Sequence, residues 1–370
     1  MNPHILLSFL ALVISIAVIP FILRFSHKNN ILDQPGERKI HSTPVPRIGG
    51  LAIFLGFIVS YAIFVFFWKI APTVSFHLGY YTTGMVLIFM TGFIDDLRFI
   101  RAWYKLLLQI IAGIFVVASG LTIPEIKVYS LGTLQLGLLA YPLTVIWVVA
   151  FINAINLMDG MDGLASGTVI IANLFIMLLA YEAGNDFAFF ITLTLTLSVL
   201  GFYIFNFPPA KIFMGDGGAY FLGFMYATIA LMGLKKSSVL TLFLFPFILL
   251  LVPLGDILIV MIKRMRLGYH IFVADKNHLH HRLLKLGFNV KGVLTIVYSM
   301  TFILGIISIL LTKVSMDYSL LLVSLIFLIL FIGIYSINTA EKVIMKVLRQ
   351  KLRAHYKKMT QETKPGVDRR

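Results

Sequence analysis

Hydrophobic positions along this chain neither alternate nor recur every third or fourth residue. They run on for about 20 residues at a time, separated by short polar stretches. A run of that length crosses the roughly 30 Å hydrocarbon core of a bilayer as an α-helix. Eleven such runs are legible, at 5–25, 48–68, 78–94, 106–122, 138–156, 164–182, 187–206, 217–234, 238–262, 292–312 and 318–337. The pattern predicts an all-α polytopic membrane protein with about eleven transmembrane helices. One stretch departs from it. "EIKVYSLGTLQLG" (125–137) alternates and contains Leu-Gly-Thr, which predicts a small β-hairpin.

Composition strengthens this class and excludes others. The chain has 370 residues, 59% of them hydrophobic, and only 13% are charged; soluble domains carry about a quarter. Mean hydropathy is +0.94. There is no cysteine, which excludes disulfides and cysteine-ligated metals. No soluble domain, internal repeat or nucleic-acid-binding motif is legible.

The net charge of +15 is unevenly spread. No basic residue precedes the first span, whereas Arg24, Lys28, Arg38, Lys39 and Arg47 follow it. A cleaved signal peptide carries its positive charge in front, so the pattern argues against one. Basic residues concentrate on the cytoplasmic side, which places the N-terminus outside and, after eleven spans, the C-terminus inside. With that alternation the outer loops keep only Lys69, Lys127, Lys235, Lys236 and Lys313. The 125–137 hairpin is then an outer one. Residues 1–337 form one transmembrane domain with cytoplasmic loops 26–47, 95–105, 157–163, 207–216 and 263–291. Residues 338–370 form a basic cytoplasmic tail, a solvated amphipathic end or one drawn to anionic lipid by about 1 kcal/mol per basic residue.

The topology brings polar clusters to one face. Asp95 and Asp96 end the third span, Asp159 and Asp162 lie in "NLMDGMDGLA", Asp216 in "FMGDGGAYFLG", and His278, His280 and His281 in "DKNHLHHRLLKLG". Each cluster alone has a plain explanation: a helix cap, a glycine turn, a solvated basic loop. Together, carboxylates at a membrane edge are costly and mark function. Carboxylates beside Lys and Arg suit Mg²⁺ and a polyphosphate. The His-x-His-His spacing lacks a zinc pattern, but with Arg282 it suits a phosphate or a sugar. Asn153, Asn156, Asp159 and Asp162 recur every third residue, a slanted polar stripe if helical. A cation-coupled transporter would place its acids near the midplane and show inverted repeats. A non-catalytic scaffold would not need the whole acid set.

From "RKIHSTPVPRIGG" (38–50) to "HLHHRLL" (278–284), these motifs resemble the polyprenyl-phosphate N-acetylhexosamine-1-phosphate transferases. His278-Leu279-His280-His281-Arg282 is similar to the bacterial GlcNAc-1-phosphate enzymes rather than to the muramoyl-pentapeptide ones, which carry three consecutive histidines. The resemblance implies transfer of sugar 1-phosphate from a UDP-N-acetylhexosamine to undecaprenyl phosphate, with UMP released. It implies Mg²⁺ (or Mn²⁺) as cofactor, the bacterial inner membrane with a cytoplasmic active site, and admits a homodimer. Asp95 and Asp96 match the aspartates near the lipid phosphate, and Asp159 is a third catalytic candidate. Asp216 matches the metal-ligating aspartate and Asn156 a second metal-side ligand. Asp162, Asn206 and Phe213 match the uridine pocket, with Phe213 stacking on the base. Lys105 matches a lysine near phosphate, and His278, His280, His281 and Arg282 the loop against the diphosphate and sugar. Ala219 departs from the family, many members having Ser or Thr there. Direct attack by the lipid phosphate is the expected route; a covalent intermediate on Asp95 or Asp159 is its rival.

Overall fold

The computed structural model describes residues 3–35, 43–67, 77–128, 132–233, 279–313 and 324. Ten helices lie among them: α1 (Pro3–Lys28), α2 (Gly50–Phe67), α3 (Leu78–Leu97), α4 (Ala102–Ala118), α5 (Ala140–Met158), α6 (Leu164–Glu182), α7 (Asp186–Asn206), α8 (Gly215–Gly233), α9 (Leu279–Lys285) and α10 (Val290–Lys313). Six are long and apolar enough to cross a membrane: α1, α2, α5 with the turn before it, α6, α7 and α10. The expected spans at 238–262 and 318–337 and the tail 338–370 lie outside the described residues.

α8 is the hub. It packs on α2, α3, α5, α6 and α7, and Phe221, Leu222, Phe224, Met225, Tyr226 and Ala227 on it are wholly buried. A helix that is apolar all round belongs inside a bundle. Around it Phe54 of α2 stacks on Phe89 of α3 at 3.8 Å, and Phe221 meets Phe54 edge-on at 5.4 Å. The outer helices show their apolar side chains: Leu6, Phe9, Val13, Phe21 and Phe25 of α1 are exposed, as a lipid-facing surface requires.

With lipid outside there is no hydrophobic drive between helices, so polar contacts and small residues join them. Ser8 of α1 meets Thr194 of α7 at 2.9 Å, and Ser198 of α7 donates to the Ile53 carbonyl of α2 at 2.6 Å. Trp147 of α5 donates to the Ala227 carbonyl of α8 at 3.1 Å.

The hairpin is present: β3 (Glu125–Val128) pairs antiparallel with β4 (Gly132–Gln135). A pairing that the hydrophobic pattern did not predict joins β1 (Leu32–Asp33) to β2 (Val45–Pro46) inside the 26–47 segment. Other differences shift helix ends, and they matter for the site. α3 continues past residue 94, so Asp95 and Asp96 sit in its last turn. α4 begins at Ala102 and α8 at Gly215, which puts Lys105 and Asp216 on first turns. Polar residues near a helix end read as loop in the sequence, but a helix tolerates them where they leave the apolar bundle. The polar stripe from Asn153 is interrupted: α5 stops at Met158, and Asp159 is its C-cap. Gly163, at a φ of 74°, takes a left-handed turn that lets the chain re-enter as α6. The 263–291 loop carries a short helix, α9, at its described end.

Candidate active site

The last turn of α3, the first turn of α4 and the start of α8 meet in one corner. The backbone allows this approach because Gly92 of α3 lies directly against the Asp216 peptide, where any Cβ would collide. Lys105 of α4 donates to Asp95 and, at 3.2 Å, to Asp216. The Asp95 and Asp216 carboxyls also meet one another directly, and they share this ammonium group. The second Asp95 oxygen accepts from the Ile100 amide at 2.7 Å and so fixes the turn between α3 and α4. Asp95 therefore joins the turn to the ionic centre.

Its neighbour Asp96 is used differently. Asp96 is buried, and its two oxygens accept from the backbone amides of Asp216 at 2.9 Å and Gly217 at 3.0 Å. These are amides of the first turn of α8, whose donors have no intrahelical partner. A carboxylate there satisfies them and complements the helix dipole. Asp96 is thus a cap supplied across the bundle, and it orients Asp216. Gly215 makes the fit possible, since its φ of 74° suits glycine and a side chain there would strike Asp96 and the Arg47 carbonyl.

The opposite wall is the turn between α5 and α6. Asn206, at the end of α7, is 2% exposed. Its carbonyl accepts from the Gly163 amide at 3.0 Å and the Ser166 hydroxyl at 2.8 Å, and its amide donates to the Ile212 carbonyl at 2.9 Å. Asp162 accepts from the Ala210 amide at 3.0 Å. Tyr298 of α10 donates to the Gly163 carbonyl at 2.5 Å. The carboxylate turn is therefore held by neutral groups from α7, α10 and the segment before α8. Asp159 feels Asp216 and Asp162: burial first, then those two negative charges, push its carboxyl up to about 7.

Residues 46–50 form a third side. The Phe213 amide donates to the Pro46 carbonyl at 2.8 Å, and the amides of Gly49 and Gly50 donate to the carbonyls of Phe213 and Met214 at 2.9 and 2.8 Å. Arg47 stands here, its charge acting on Asp96.

Of the residues singled out in the sequence, Asp95, Lys105 and Asp216 share direct contacts, and Asp96 holds the backbone of Asp216. Asp159 and Asp162 lie on the facing turn, with Asn156 one turn back on α5 and Phe213 just before α8. Asn206 lies behind that turn, its carboxamide engaged by three protein groups. His280 and His281 fall on α9 and Arg282 beside them is buried; His278 lies outside the described residues. Sequence reasoning missed Arg47, Tyr220 (hydrogen-bonded to Asp216), Ser166 and Tyr298. Arg47 had a signal, since it stands in "PVPRIGG"; an apolar-run tyrosine such as Tyr298 had none.

Among the described residues no three His, Asp or Glu side chains are grouped as a metal cage. Five carboxylates nevertheless crowd one end of the bundle against Lys105 and Arg47. Carboxylate oxygen is the donor type that a hard divalent cation takes together with waters and phosphate oxygens.

Comparison with known proteins agrees with this geometry. The family model described as "Glycosyl transferase family 4" matches residues 78–234, which include α3, α4 and α8. The "Probable undecaprenyl-phosphate N-acetylglucosaminyl 1-phosphate transferase" of Bacillus subtilis is 35% identical over 333 residues, covering 90% of this chain and 91% of the relative. The "Decaprenyl-phosphate N-acetylglucosaminephosphotransferase" of Mycobacterium tuberculosis is 35% identical over 294 residues, 71% of each chain. The "Phospho-N-acetylmuramoyl-pentapeptide-transferase" of Staphylococcus saprophyticus is 30% identical over 332 residues, 82% of this chain and 97% of the relative. The chain belongs to the polyprenyl-phosphate N-acetylhexosamine-1-phosphate transferase family.

Proposed function

We propose that this protein transfers N-acetylglucosamine 1-phosphate from UDP-GlcNAc to undecaprenyl phosphate, giving undecaprenyl-diphospho-GlcNAc and UMP. It acts at the cytoplasmic face of a bacterial inner membrane, at the first membrane step of a cell-envelope polysaccharide. The observation that carries this reading is the ionic corner of Asp95, Lys105 and Asp216, placed against the Asp159–Asp162 turn. The name of the Bacillus subtilis relative, a probable undecaprenyl-phosphate N-acetylglucosaminyl 1-phosphate transferase, supports the sugar and the lipid.

In the proposed reaction an oxygen of the lipid phosphate attacks the sugar-linked phosphorus of the donor. The bond from that phosphorus to the oxygen bridging the two phosphates breaks, and UMP leaves with the bridging oxygen. A phosphate monoester is largely dianionic at pH 7, so no strong base is required. The protein mainly positions two anions and offsets their repulsion. Lys105 supplies a cation at the meeting point, and Asp95 holds Lys105 in place. Asp96 keeps Asp216 aimed at the cleft. Asp216 and Asn156 would hold Mg²⁺, which when bound neutralises phosphate charge, and Asp159 faces the charge of Asp216. Asp162 and Phe213 form the uridine side of the cleft. By the resemblance, His278, His280, His281 and Arg282 would contact the diphosphate and the sugar.

The test is UMP release by purified protein in detergent, with undecaprenyl phosphate and a panel of UDP-GlcNAc, UDP-GalNAc and UDP-MurNAc-pentapeptide. Release is expected with UDP-GlcNAc, only when lipid is present, and should stop in EDTA. Preference for another donor would correct the sugar. A lipid-independent burst of about one UMP per site would replace direct attack with a covalent route.

A further inference from the structure

The cleft contains a cation whose bonding capacity the protein does not use. Arg47 is only partly exposed, and its Nε is buried with no hydrogen-bond partner. A buried, charged N–H without an acceptor is costly, and folded proteins rarely leave one. Nor is the segment loose. Both the chain before Arg47, through Pro46, and the chain after it, through Gly49 and Gly50, are hydrogen-bonded to residues 213–214, and the Arg47 carbonyl rests against Gly215. The backbone thus holds Arg47 beside the start of α8, where its charge acts on Asp96.

Lys105, by contrast, is held by two carboxylates. The Asp96 oxygens accept from the α8 amides, and Arg47 acts on Asp96 through its charge, without a hydrogen bond from its Nε. A planar guanidinium with spare donors, in a cleft that must hold phosphates, matches the geometry of a phosphoryl oxyanion.

We propose that Arg47 is a substrate-binding residue whose guanidinium takes a phosphate oxygen of one of the two substrates. The assignment rests on the transferase reading for the identity of those substrates, and on the unpartnered Nε for the chemistry. The phosphate belongs either to the donor diphosphate or to the acceptor monophosphate, and the two sources separate in the test.

Arg47→Met and Arg47→Lys would be compared with wild type in full-length protein. Equilibrium binding of uridine, UDP and inorganic pyrophosphate would be measured with Mg²⁺ and without lipid, together with the KM for undecaprenyl phosphate and the melting temperature without ligand. If the donor is the source, Arg47→Met weakens UDP and pyrophosphate about tenfold and leaves uridine unchanged, the loss expected for one charge-assisted bond. If the acceptor is the source, the same variant raises the lipid KM about tenfold and leaves UDP unchanged. In either case Arg47→Lys recovers part of the loss, and the ligand-free melting temperature moves little. Unchanged UDP, pyrophosphate and lipid values would overturn the proposal. So would a large fall in melting temperature with equal weakening of uridine and UDP, which marks a structural residue. Arg47-dependent binding of pyrophosphate by a wild-type protein that releases no UMP would keep the phosphate site and reject the transferase reading.

Discussion

On the α3–α4–α8 side of the cleft the contacts are ionic. Lys105 is shared by Asp95 and Asp216, and Asp96 faces two amides at the start of α8. On the α5–α7 side the bonds that hold the carboxylate turn at Gly163 are neutral. Asn206, Ser166 and Tyr298 hold Gly163 through its amide and carbonyl, and no charge takes part. The two walls therefore have different uses for the same cost of burial. Charged groups facing a cleft can act on a phosphate whose charge is being redistributed. A fully satisfied neutral cluster can only fix where its turn stands. Adjacent residues divide the same way: Asp95 keeps a contact with Lys105, whereas Asp96 is consumed by the backbone. The ionic wall should govern the chemical step and the neutral wall the placing of the donor.

The largest effect should follow from Asp216→Asn. It keeps the shape and removes a charge from the carboxyl pair, so UMP release should fall about a thousandfold while the protein still folds. Near wild-type turnover would remove Asp216 from the chemistry. Asp95→Asn should come next, with kcat down about a hundredfold and donor affinity nearly unchanged. Asp96→Asn should lose about tenfold in rate through a shifted α8 start, together with a lower melting temperature. Equal rate losses without any change in melting temperature would erase the distinction between the two aspartates.

On the neutral wall, Asn206→Ala and Tyr298→Phe should raise the donor KM several-fold, with kcat held within about twofold, since each removes uncharged bonds of modest strength. A kcat-only loss would assign these residues to the other wall.

The smallest effect concerns pH. Asp159 is raised from an ordinary 3.8 to about 7 in the fold, so the native state holds its proton more tightly than the unfolded chain. Its contribution to stability is therefore full at low pH and is lost as pH rises through about 7. In metal-free buffer Asp159→Asn should melt a few degrees above wild type at pH 8, and this gain should shrink toward pH 5. A gain independent of pH would mean that its charge is not what the fold resists.

Much of this arrangement was legible in the residues, and the limits have physical causes. Long apolar runs located α1, α2, α5, α6, α7 and α10 because length and composition alone decide whether a helix can cross a bilayer. The carboxylates stood out because acids are rare in such runs. Helix ends were misplaced at Asp95, Lys105 and Asp216, where polar residues continue a helix after it leaves the apolar interior. The capping role of Asp96 could not be read, because its partners lie about 120 residues away in sequence. The neutral contacts of Asn206 could not be read either. Its partners, Gly163, Ser166 and Ile212, are brought together only by the fold.

The contrast between the walls is tested most directly by single-turnover UMP release at a series of UDP-GlcNAc concentrations, with excess undecaprenyl phosphate, for wild type, Asp95→Asn and Asn206→Ala. This separates the donor dissociation constant from the rate of the chemical step. Asp95→Asn should lower the chemical rate about a hundredfold with the dissociation constant unchanged, and Asn206→Ala should weaken donor binding with the chemical rate retained. The reverse assignment, or equal changes of both constants in both variants, would contradict that contrast.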